Sequence, residues 1–351
     1  MGIYQGAMDI GTNSCRLIIV EKKEEGDFTH LRQVRITRIG EGLGQGHLRL
    51  SRGAMDRTLA ALAEYKEILA GYPVEKVWLM GTQALREADN SQAFAAEVKE
   101  RTGFDLQIIS GEREAYLSYL GAATGLSDPA LAQPLVLDIG AGSTELMWLE
   151  EDGAAKAGDT GAAGIAGTNV AARAAGAKAE AAGVGGRGDD ADRNIGAIKG
   201  RIRAVSAPIG SLRLLEKPLD RQGILEALRT GWQGIAVPER AMGGNAAAIG
   251  GTGPLVGVGG TATTLGAIHL NMKEYDPEAL LGLEMSRSQV EAVLALLESL
   301  PSAERLALPG MMPGREDVLP WGLRILLAAM TYCRRDSVVI CDRDLLYGIL
   351  Q

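Results

Sequence analysis

The sequence contains few of the residues that form disulfide bonds or zinc sites. Its 351 residues include three histidines and three cysteines, Cys15, Cys333 and Cys341. The number of cysteines is odd and none of them form the closely spaced pairs typical of zinc ligands, so we expect neither a disulfide framework nor a zinc centre. Free thiols are typical of a reducing compartment, and we therefore expect a cytoplasmic protein.

Long hydrophobic runs and an excess of basic charge are also missing. The apolar stretch Trp321 to Tyr332 is too short to cross a bilayer and contains Arg324, and no basic region followed by an apolar one opens the chain. We therefore expect no membrane partner. The net charge of −8 argues against a nucleic-acid partner, because nucleic-acid surfaces on proteins are generally basic. An acidic protein can still bind phosphate through local donors and metal ions.

Two segments have hardly any large apolar residues. Residues 153–200 consist mainly of alanine and glycine, and residues 243–253 have a similar composition. Such segments bury too little apolar surface to offset the entropy lost when a chain becomes ordered. We predict that both are surface insertions without a function. An alanine-rich helix within the first segment is the alternative.

The most informative stretch that is present reads DIGAGSTE, from Asp138 to Glu145, and follows the apolar run Leu135 to Leu137. Such a run is typical of a buried strand. Gly140 and Gly142 permit a tight turn whose amide groups can converge on an anion. The carboxylates of Asp138 and Glu145 are ligands suited to a hard cation such as Mg²⁺ beside a phosphate.

A near-copy of this stretch, DIGTNSCR from Asp9 to Arg16, follows the first predicted strand. Two copies of a strand followed by the same turn predict two similar half-domains that face one ligand. Elsewhere predicted strands and helices alternate, which indicates an α/β fold. Among the predicted helices, one follows the N-cap Ser51 and runs to Ala70, and residues 342–350 form a closing helix.

The paired turns resemble the two phosphate loops of the actin-like ATPase superfamily. Three further stretches, GTQALREADN, ISGEREAYLSYLGA and GVGGTATTLGAIHL, together with the ending CDRDLLYGIL, resemble the exopolyphosphatase and guanosine pentaphosphate phosphatase family. The resemblance implies two actin-like (ribonuclease H-like) α/β domains around a central cleft. We expect them at residues 1–124 and 125–341, with a C-terminal helix at 342–351 that packs back on the first domain.

The resemblance also implies roles for individual residues. Asp138 would be the metal carboxylate, assisted by Asp9 and Glu145, with Mg²⁺ or Mn²⁺ as the ion. Arg86 would bind the terminal phosphate, and Glu114 would activate the attacking water. Substrate contacts are implied for residues of the two turns and of a third ligand loop, namely Asn13, Ser14, Cys15, Gly140, Gly142, Ser143, Thr144, Gly260 and Thr261.

The chain departs from the family pattern at two positions. Arg113 stands where many relatives carry glutamate, so the choice of Glu114 rests on its register with Ala115, and Glu112 is the alternative base. Ala141 stands where glycine is usual in the second turn, which an alanine tolerates if its φ is negative.

The resemblance implies a metal-dependent hydrolase that removes terminal phosphate from inorganic polyphosphate, guanosine pentaphosphate or both, and we expect a homodimer. Two alternatives stay open at this point. One is an ATP-dependent kinase of the same superfamily. The other is a non-catalytic sensor that binds an alarmone or polyphosphate.

Overall fold

The computed structural model describes residues 3–23, 27–43, 48–126, 133–150, 201–232 and 253–351. The Gly/Ala-rich segment 153–200 lies outside these residues, as does all of the segment 243–253 except Gly253. That both are insertions therefore stays a prediction.

The first half of the chain forms a five-stranded sheet in the order β3-β2-β1-β4-β5. The first three strands are an antiparallel meander, and β4 and β5 add in parallel to β1. The carboxyl end of the first strand is buried from Gly6 to Ile10, and Asp9 is the one charged residue in this stretch. The strands are β1 (Ile3–Ile10), β2 (Ser14–Lys22), β3 (Phe28–Ile36), β4 (Val74–Gly81) and β5 (Leu106–Ile108).

Helices connect and cover these strands. The predicted cap at Ser51 is confirmed, because its side chain accepts a hydrogen bond from the amide of Ala54 at 3.2 Å. Gly103 adopts a left-handed φ of 81° and ends the third helix, as glycine does most readily. The helices of this half are α1 (Arg52–Ala70), α2 (Gln83–Glu87), α3 (Ser91–Thr102) and α4 (Gly111–Gly125).

The second half repeats the strand order of the first. Its six-stranded sheet has the order β10-β11-β9-β6-β7-β8, so that β8-β7-β6-β9-β11 corresponds to β3-β2-β1-β4-β5 and β10 is an added antiparallel edge strand. This repeat confirms the predicted α/β fold with two related halves. The strands are β6 (Leu135–Ile139), β7 (Thr144–Glu150), β8 (Arg201–Ala207), β9 (Leu255–Val258), β10 (Glu284–Ser286) and β11 (Ser337–Ile340).

The helices of the second half pack mainly on one face of this sheet, where the largest apolar cluster of the molecule includes Trp232, Leu265 and Leu323. They are α5 (Ser211–Glu216), α6 (Arg221–Gly231), α7 (Gly259–His269), α8 (Pro277–Leu280), α9 (Arg287–Ser299), α10 (Ser302–Arg305) and α11 (Leu319–Tyr332), followed after the last strand by α12 (Leu345–Ile349).

Helix α4 lies between the two sheets and contributes to a core on each side. Leu117 packs with Ala7 and Ile18 of the first sheet. Ala115 and Tyr119 pack in the cluster that contains β6, β7 and β9 of the second. The helix is therefore shared by both halves.

The C-terminal helix differs from the prediction at its start. It begins at Leu345 rather than at residue 342, because Asp344 has an extended backbone and caps the helix by accepting from the amide of Leu346 at 3.2 Å. The helix packs against β1 and α4, where Leu345 and Ile349 join the cluster around Leu117. No helix in the described ranges is long and apolar enough to span a membrane.

Candidate functional site

The two motif turns have the same backbone geometry. In the first, the amide of Gly11 donates to the carbonyl oxygen of Ser14 at 2.9 Å, and in the second the amide of Gly140 donates to that of Ser143 at 2.9 Å. The strands on either side pair in the same register. Asp9 lies opposite Arg16 across one hairpin, as Asp138 lies opposite Glu145 across the other.

Both turns line one cavity between the two halves of the molecule. Glu114 at the start of α4 also faces this cavity, as do Gly259 and Gly260 at the start of α7. The structure thus brings together most of the residues that the sequence predicts for the site, namely Asp9, Asn13, Ser14, Glu114, Asp138, Gly140, Gly142, Ser143, Glu145 and Gly260.

The carboxylate of the first turn is held by an arginine. Arg16 Nε donates to Asp9 Oδ1 at 2.9 Å and Nη2 donates to Asp9 Oδ2 at 2.7 Å, while Nη1 binds Asp344. The side chains of Asp9 and Asp344 are 4% and 8% exposed. Burial raises the pKa of Asp9, and Arg16 opposes that shift. The flanking carboxylates hold the pKa of Arg16 well above its ordinary value despite burial, so the guanidinium remains charged.

The carboxylates of the second turn have no such counter-charge. No ion pair in the described part of the chain includes Asp138 or Glu145. Burial, followed by the negative charge of Glu145, raises the pKa of Asp138 well above its ordinary value. Burial and the charge of Glu114 raise the pKa of Glu145 to about 7, although Ser206 Oγ donates to its Oε1 at 2.8 Å.

Glu114 pairs with Arg86, the other predicted catalytic residue. Arg86 Nη1 lies 2.5 Å from Glu114 Oε2 and also donates to the carbonyl of Ile109 at 3.1 Å. Burial raises the pKa of Glu114, and Arg86 partly opposes the shift. The alternative base Glu112 is exposed, and it is not among the residues that line the cavity.

Three predicted binding residues direct their side chains elsewhere. Cys15 is buried in the core of the first half. Thr144 Oγ1 donates to the carbonyl of Ile209 at 2.6 Å, and Thr261 Oγ1 donates to the carbonyl of Ile139 at 3.0 Å. None of the three lines the cavity, and their side chains support its walls. A role for these residues in substrate binding stays a prediction.

Glycines make room for polar and charged side chains around the cavity. A Cβ at Gly260 would meet the guanidinium of Arg315 at 1.8 Å, and a Cβ at Gly142 would meet Gln83 Oε1 at 2.3 Å. Gly259 has a φ of 74°, and a Cβ there would lie 2.8 Å from Asp138 Oδ1. Ala141 is not among the described residues with a positive φ, so the alanine fits the turn without strain.

Several cavity residues were not predicted. Arg16 stands inside a quoted motif, and its alternation with buried neighbours along β2 was the available signal. Asp344 also stands inside a quoted motif but lies outside any strand. Arg315 precedes α11 in a segment without a regular pattern. Its Nε is buried without a hydrogen-bond partner among the described residues, and no ion pair there includes it. Burial, followed by the charge of Arg16, lowers the pKa of Arg315 to about 10. The remaining unpredicted lining residues include Gly11, Thr12, Gln83 and Ser211.

Further ion pairs among the described residues connect the halves beside the cavity. Arg213 of α5 lies 2.6 Å from Glu87 of α2. Arg38, which follows β3, lies 2.7 Å from Asp317 in the segment before α11. Glu87 thus pairs across the halves rather than with its neighbour Arg86.

The donor chemistry of the cavity fits a hard divalent cation. Five carboxylates and two guanidinium groups line the cavity, so negative charge is in excess. In the described ranges no three acidic, histidine or cysteine side chains converge closely enough to form a complete metal cage. Mg²⁺ commonly binds through one or two carboxylates and completes its coordination with water and substrate phosphate. Asp138 and Glu145 fit that mode, whereas Asp9 is already bound by Arg16.

The sequence is similar to those of known phosphatases. Residues 18–181 and 195–351 match the family model described as the Ppx/GppA phosphatase family. Exopolyphosphatase 2 of Mycobacterium tuberculosis is 28% identical over 358 residues, which cover 98% of this chain and 96% of that protein. The bifunctional 3-dehydroquinate synthase/phosphatase of Fusobacterium nucleatum is 24% identical over 361 residues. That alignment covers 99% of this chain and 46% of the relative, so the chain spans less than half of its length.

Solved structures show the same fold. The crystal structure of the Aquifex aeolicus member of the Ppx/GppA protein family has a TM-score of 0.67 and is 24% identical, with 99% of this chain and 96% of that chain covered. An exopolyphosphatase from Cytophaga hutchinsonii has a TM-score of 0.70 at 20% identity, with the same coverage of 99% and 96%.

Proposed function

Because the chain belongs to the Ppx/GppA phosphatase family, we propose that it is a metal-dependent phosphohydrolase that releases terminal phosphate from inorganic polyphosphate, guanosine pentaphosphate or both. The observation that carries this proposal is the cavity where the carboxylates of the second turn meet Glu114, which is held by Arg86, and residues of both turns. Transfer of a phosphoryl group to water needs charge neutralisation, an aligned water and a proton acceptor.

Asp138 and Glu145 would hold Mg²⁺ or Mn²⁺ next to the substrate. The bound cation would neutralise charge on the phosphate oxygens that it contacts. Asp138 is the better ligand of the two because Glu145 already accepts a hydrogen bond from Ser206. Asp9 would assist indirectly, since both of its oxygens are bound by Arg16.

Glu114 would accept the proton of the attacking water. Burial is the first cause of its raised pKa, which therefore lies closer to the working pH. The carboxylate is then a stronger base than that of an exposed glutamate. Arg86 binds Glu114 through Nη1. This one atom donates both of the side-chain hydrogen bonds that Arg86 makes within the described residues. Its Nε and Nη2 are the groups with which Arg86 would bind the terminal phosphate.

The remaining phosphate contacts would come from main-chain amides and from Arg315. The turns of residues 11–14 and 140–143 and the first residues of α7 line the cavity. Their amides, apart from those of Gly11 and Gly140 that close the turns, would donate to phosphate oxygens. Arg315 is a buried cation that no ion pair of the described residues includes, and the charges of Asp138 and Asp344 offset its burial only in part. A bound polyanion would supply a direct partner.

The relatives named above suggest the substrate class. The printed name of exopolyphosphatase 2, which aligns over nearly its whole length, supports polyphosphate as a substrate of this chain. Guanosine pentaphosphate presents the same terminal phosphoanhydride and is retained as the second substrate. A cytoplasmic location and a homodimer stay predictions.

The test is release of orthophosphate from long-chain polyphosphate, guanosine pentaphosphate and ATP, each with and without Mg²⁺. We expect Mg²⁺-dependent release of orthophosphate from at least one of the first two substrates. Consumption of ATP only in the presence of a phosphoryl acceptor would instead establish a kinase. Tight binding of either polyanion without any release would establish a sensor.

A further inference from the structure

Asp344 uses its two carboxylate oxygens for two different partners. Oδ1 accepts a hydrogen bond from the amide of Leu346 at 3.2 Å and so caps α12. Oδ2 binds Nη1 of Arg16 in the first turn. The side chain is 8% exposed, so both contacts lie within the protein. One residue thereby joins the C-terminal helix to the first motif turn.

Arg16 is fixed at both ends of its guanidinium. One edge, formed by Nε and Nη2, binds both oxygens of Asp9, and Nη1 binds Asp344. The planar group therefore has a single orientation, set by carboxylates from opposite ends of the chain. A lysine ammonium at this position would keep the charge but could not bind Asp9 bidentately and reach Asp344 together.

The helix that Asp344 caps lies in backbone contact with α4. A Cβ at Gly121 would lie 1.9 Å from the carbonyl oxygen of Asp344, and a Cβ at Gly348 would lie 1.9 Å from that of Leu117. Only glycines permit this approach. The position of α12 therefore determines the position of α4, whose first turn carries Glu114.

We propose that Asp344 is a positioning residue for the hydrolytic reaction, because it sets both the Arg16–Asp9 pair and, through the contact of α12 with α4, the location of Glu114. This inference rests on the proposed function. The action is indirect: Asp344 orients groups of the two sides of the cavity relative to one another. Loss of such an orienting partner typically lowers activity by about 10–100-fold.

The decisive variant is Asp344→Asn. Asparagine caps helices as well as aspartate does, so α12 should remain, while the charge that holds Arg16 is removed. The matched control is Asp220→Asn, which alters the cap of α6 (Oδ1 to the amide of Gly223, 2.7 Å) away from the cavity. We expect hydrogen exchange in residues 9–16 and 111–121 to be faster in Asp344→Asn than in the parent. Unchanged exchange in both segments overturns the inference.

Kinetics on the parent's best substrate give the second readout. We expect kcat to fall by about 10–100-fold in Asp344→Asn with KM little changed, and Asp220→Asn to match the parent. A loss that disappears at saturating Mg²⁺ would show that Asp344 binds the cation, which overturns the inference. So would a kcat equal to that of the parent.

Arg16→Lys provides a test that leaves the cap of α12 intact. It should lower kcat by a similar factor, and the double variant should lose little more than either single one, since both changes break the same link. Losses that multiply would show that Asp344 does not act through Arg16. If the parent releases no phosphate from polyphosphate or guanosine pentaphosphate, the proposed function fails. The hydrogen-exchange comparison then still decides whether the link exists.

Discussion

The two motif turns share a backbone but differ in the charge opposite the leading aspartate. In the first, Asp9 faces Arg16 and both of its oxygens are bound. In the second, Asp138 faces Glu145, and no ion pair in the described part includes either carboxylate. One turn is neutralised by the protein itself, and the other keeps negative charge that a cation can neutralise. The repeat thus divides into a structural copy and a copy suited to metal binding.

The largest effect on rate is expected at Glu114, which adds a third carboxylate beside the second turn. Glu114→Gln keeps the shape of the side chain and removes the proposed proton acceptor, so kcat should fall by about 10²–10⁴-fold. The control is Glu112→Gln, an exposed neighbour that should keep the parent rate. Rates measured over a Mg²⁺ titration check the prediction. If only Glu112→Gln slows the enzyme, Glu112 is the base instead.

The first turn should depend on its arginine for stability. Arg16→Met leaves the buried carboxylates of Asp9 and Asp344 without a counter-charge, which should lower the free energy of unfolding by about 3–5 kcal/mol. Denaturant unfolding at neutral pH measures the loss. Arg52→Met is the control, because Arg52 also bridges two carboxylates, Asp56 and Glu97, but on the surface. Equal losses in the two variants would contradict the structural role assigned to the first turn.

Glu145 occupies the position of the second turn that Arg16 occupies in the first. Removing its charge should raise the stability of the protein at high pH rather than lower it. The folded-state pKa of Glu145 is about 7, above its ordinary value, so this group contributes stability at low pH that is lost as pH rises through 7. In metal-free protein, Glu145→Gln should therefore be more stable than the parent at pH 8, by up to about 3 kcal/mol, and equal to it near pH 4. Thermal unfolding at both pH values checks this. A variant that is less stable at pH 8 would show that Glu145 is already neutralised by another group.

A smaller effect on the kinetics is expected at Arg315, which reaches the cavity from the segment before α11 rather than from either turn. Arg315→Met should raise KM for polyphosphate by roughly 10-fold, because a charge-assisted hydrogen bond to substrate is lost, and should leave kcat nearly unchanged. Arg324→Met is the control, since Arg324 pairs with Glu298 on the surface. A KM equal to that of the parent would place the substrate away from α7.

The sequence predicted the repeated strand and turn because glycine, aspartate and flanking apolar residues constrain the local backbone. It also contained the reason why Cys15 and Thr144 are directed away from the cavity. Side chains alternate along a strand, so if Arg16 and Glu145 face the cavity, the residues before them face the core. Arg315 and Asp344 could not be predicted in this way. They reach the cavity from segments distant in sequence, and their positions depend on how the helices pack.

The position of α4 between the sheets has a mechanical consequence. The helix contacts both cores, so a rotation of one half against the other would have its axis near this helix. Points close to an axis move least, and Glu114 would remain almost stationary while the outer pair of Arg213 and Glu87 separates. We expect spin labels on α2 and α5 to show a broad distance distribution in the absence of substrate. Labels on α4 and β6 should show a narrow one. A rotation about this axis would admit a long substrate without displacing Glu114, the proposed proton acceptor.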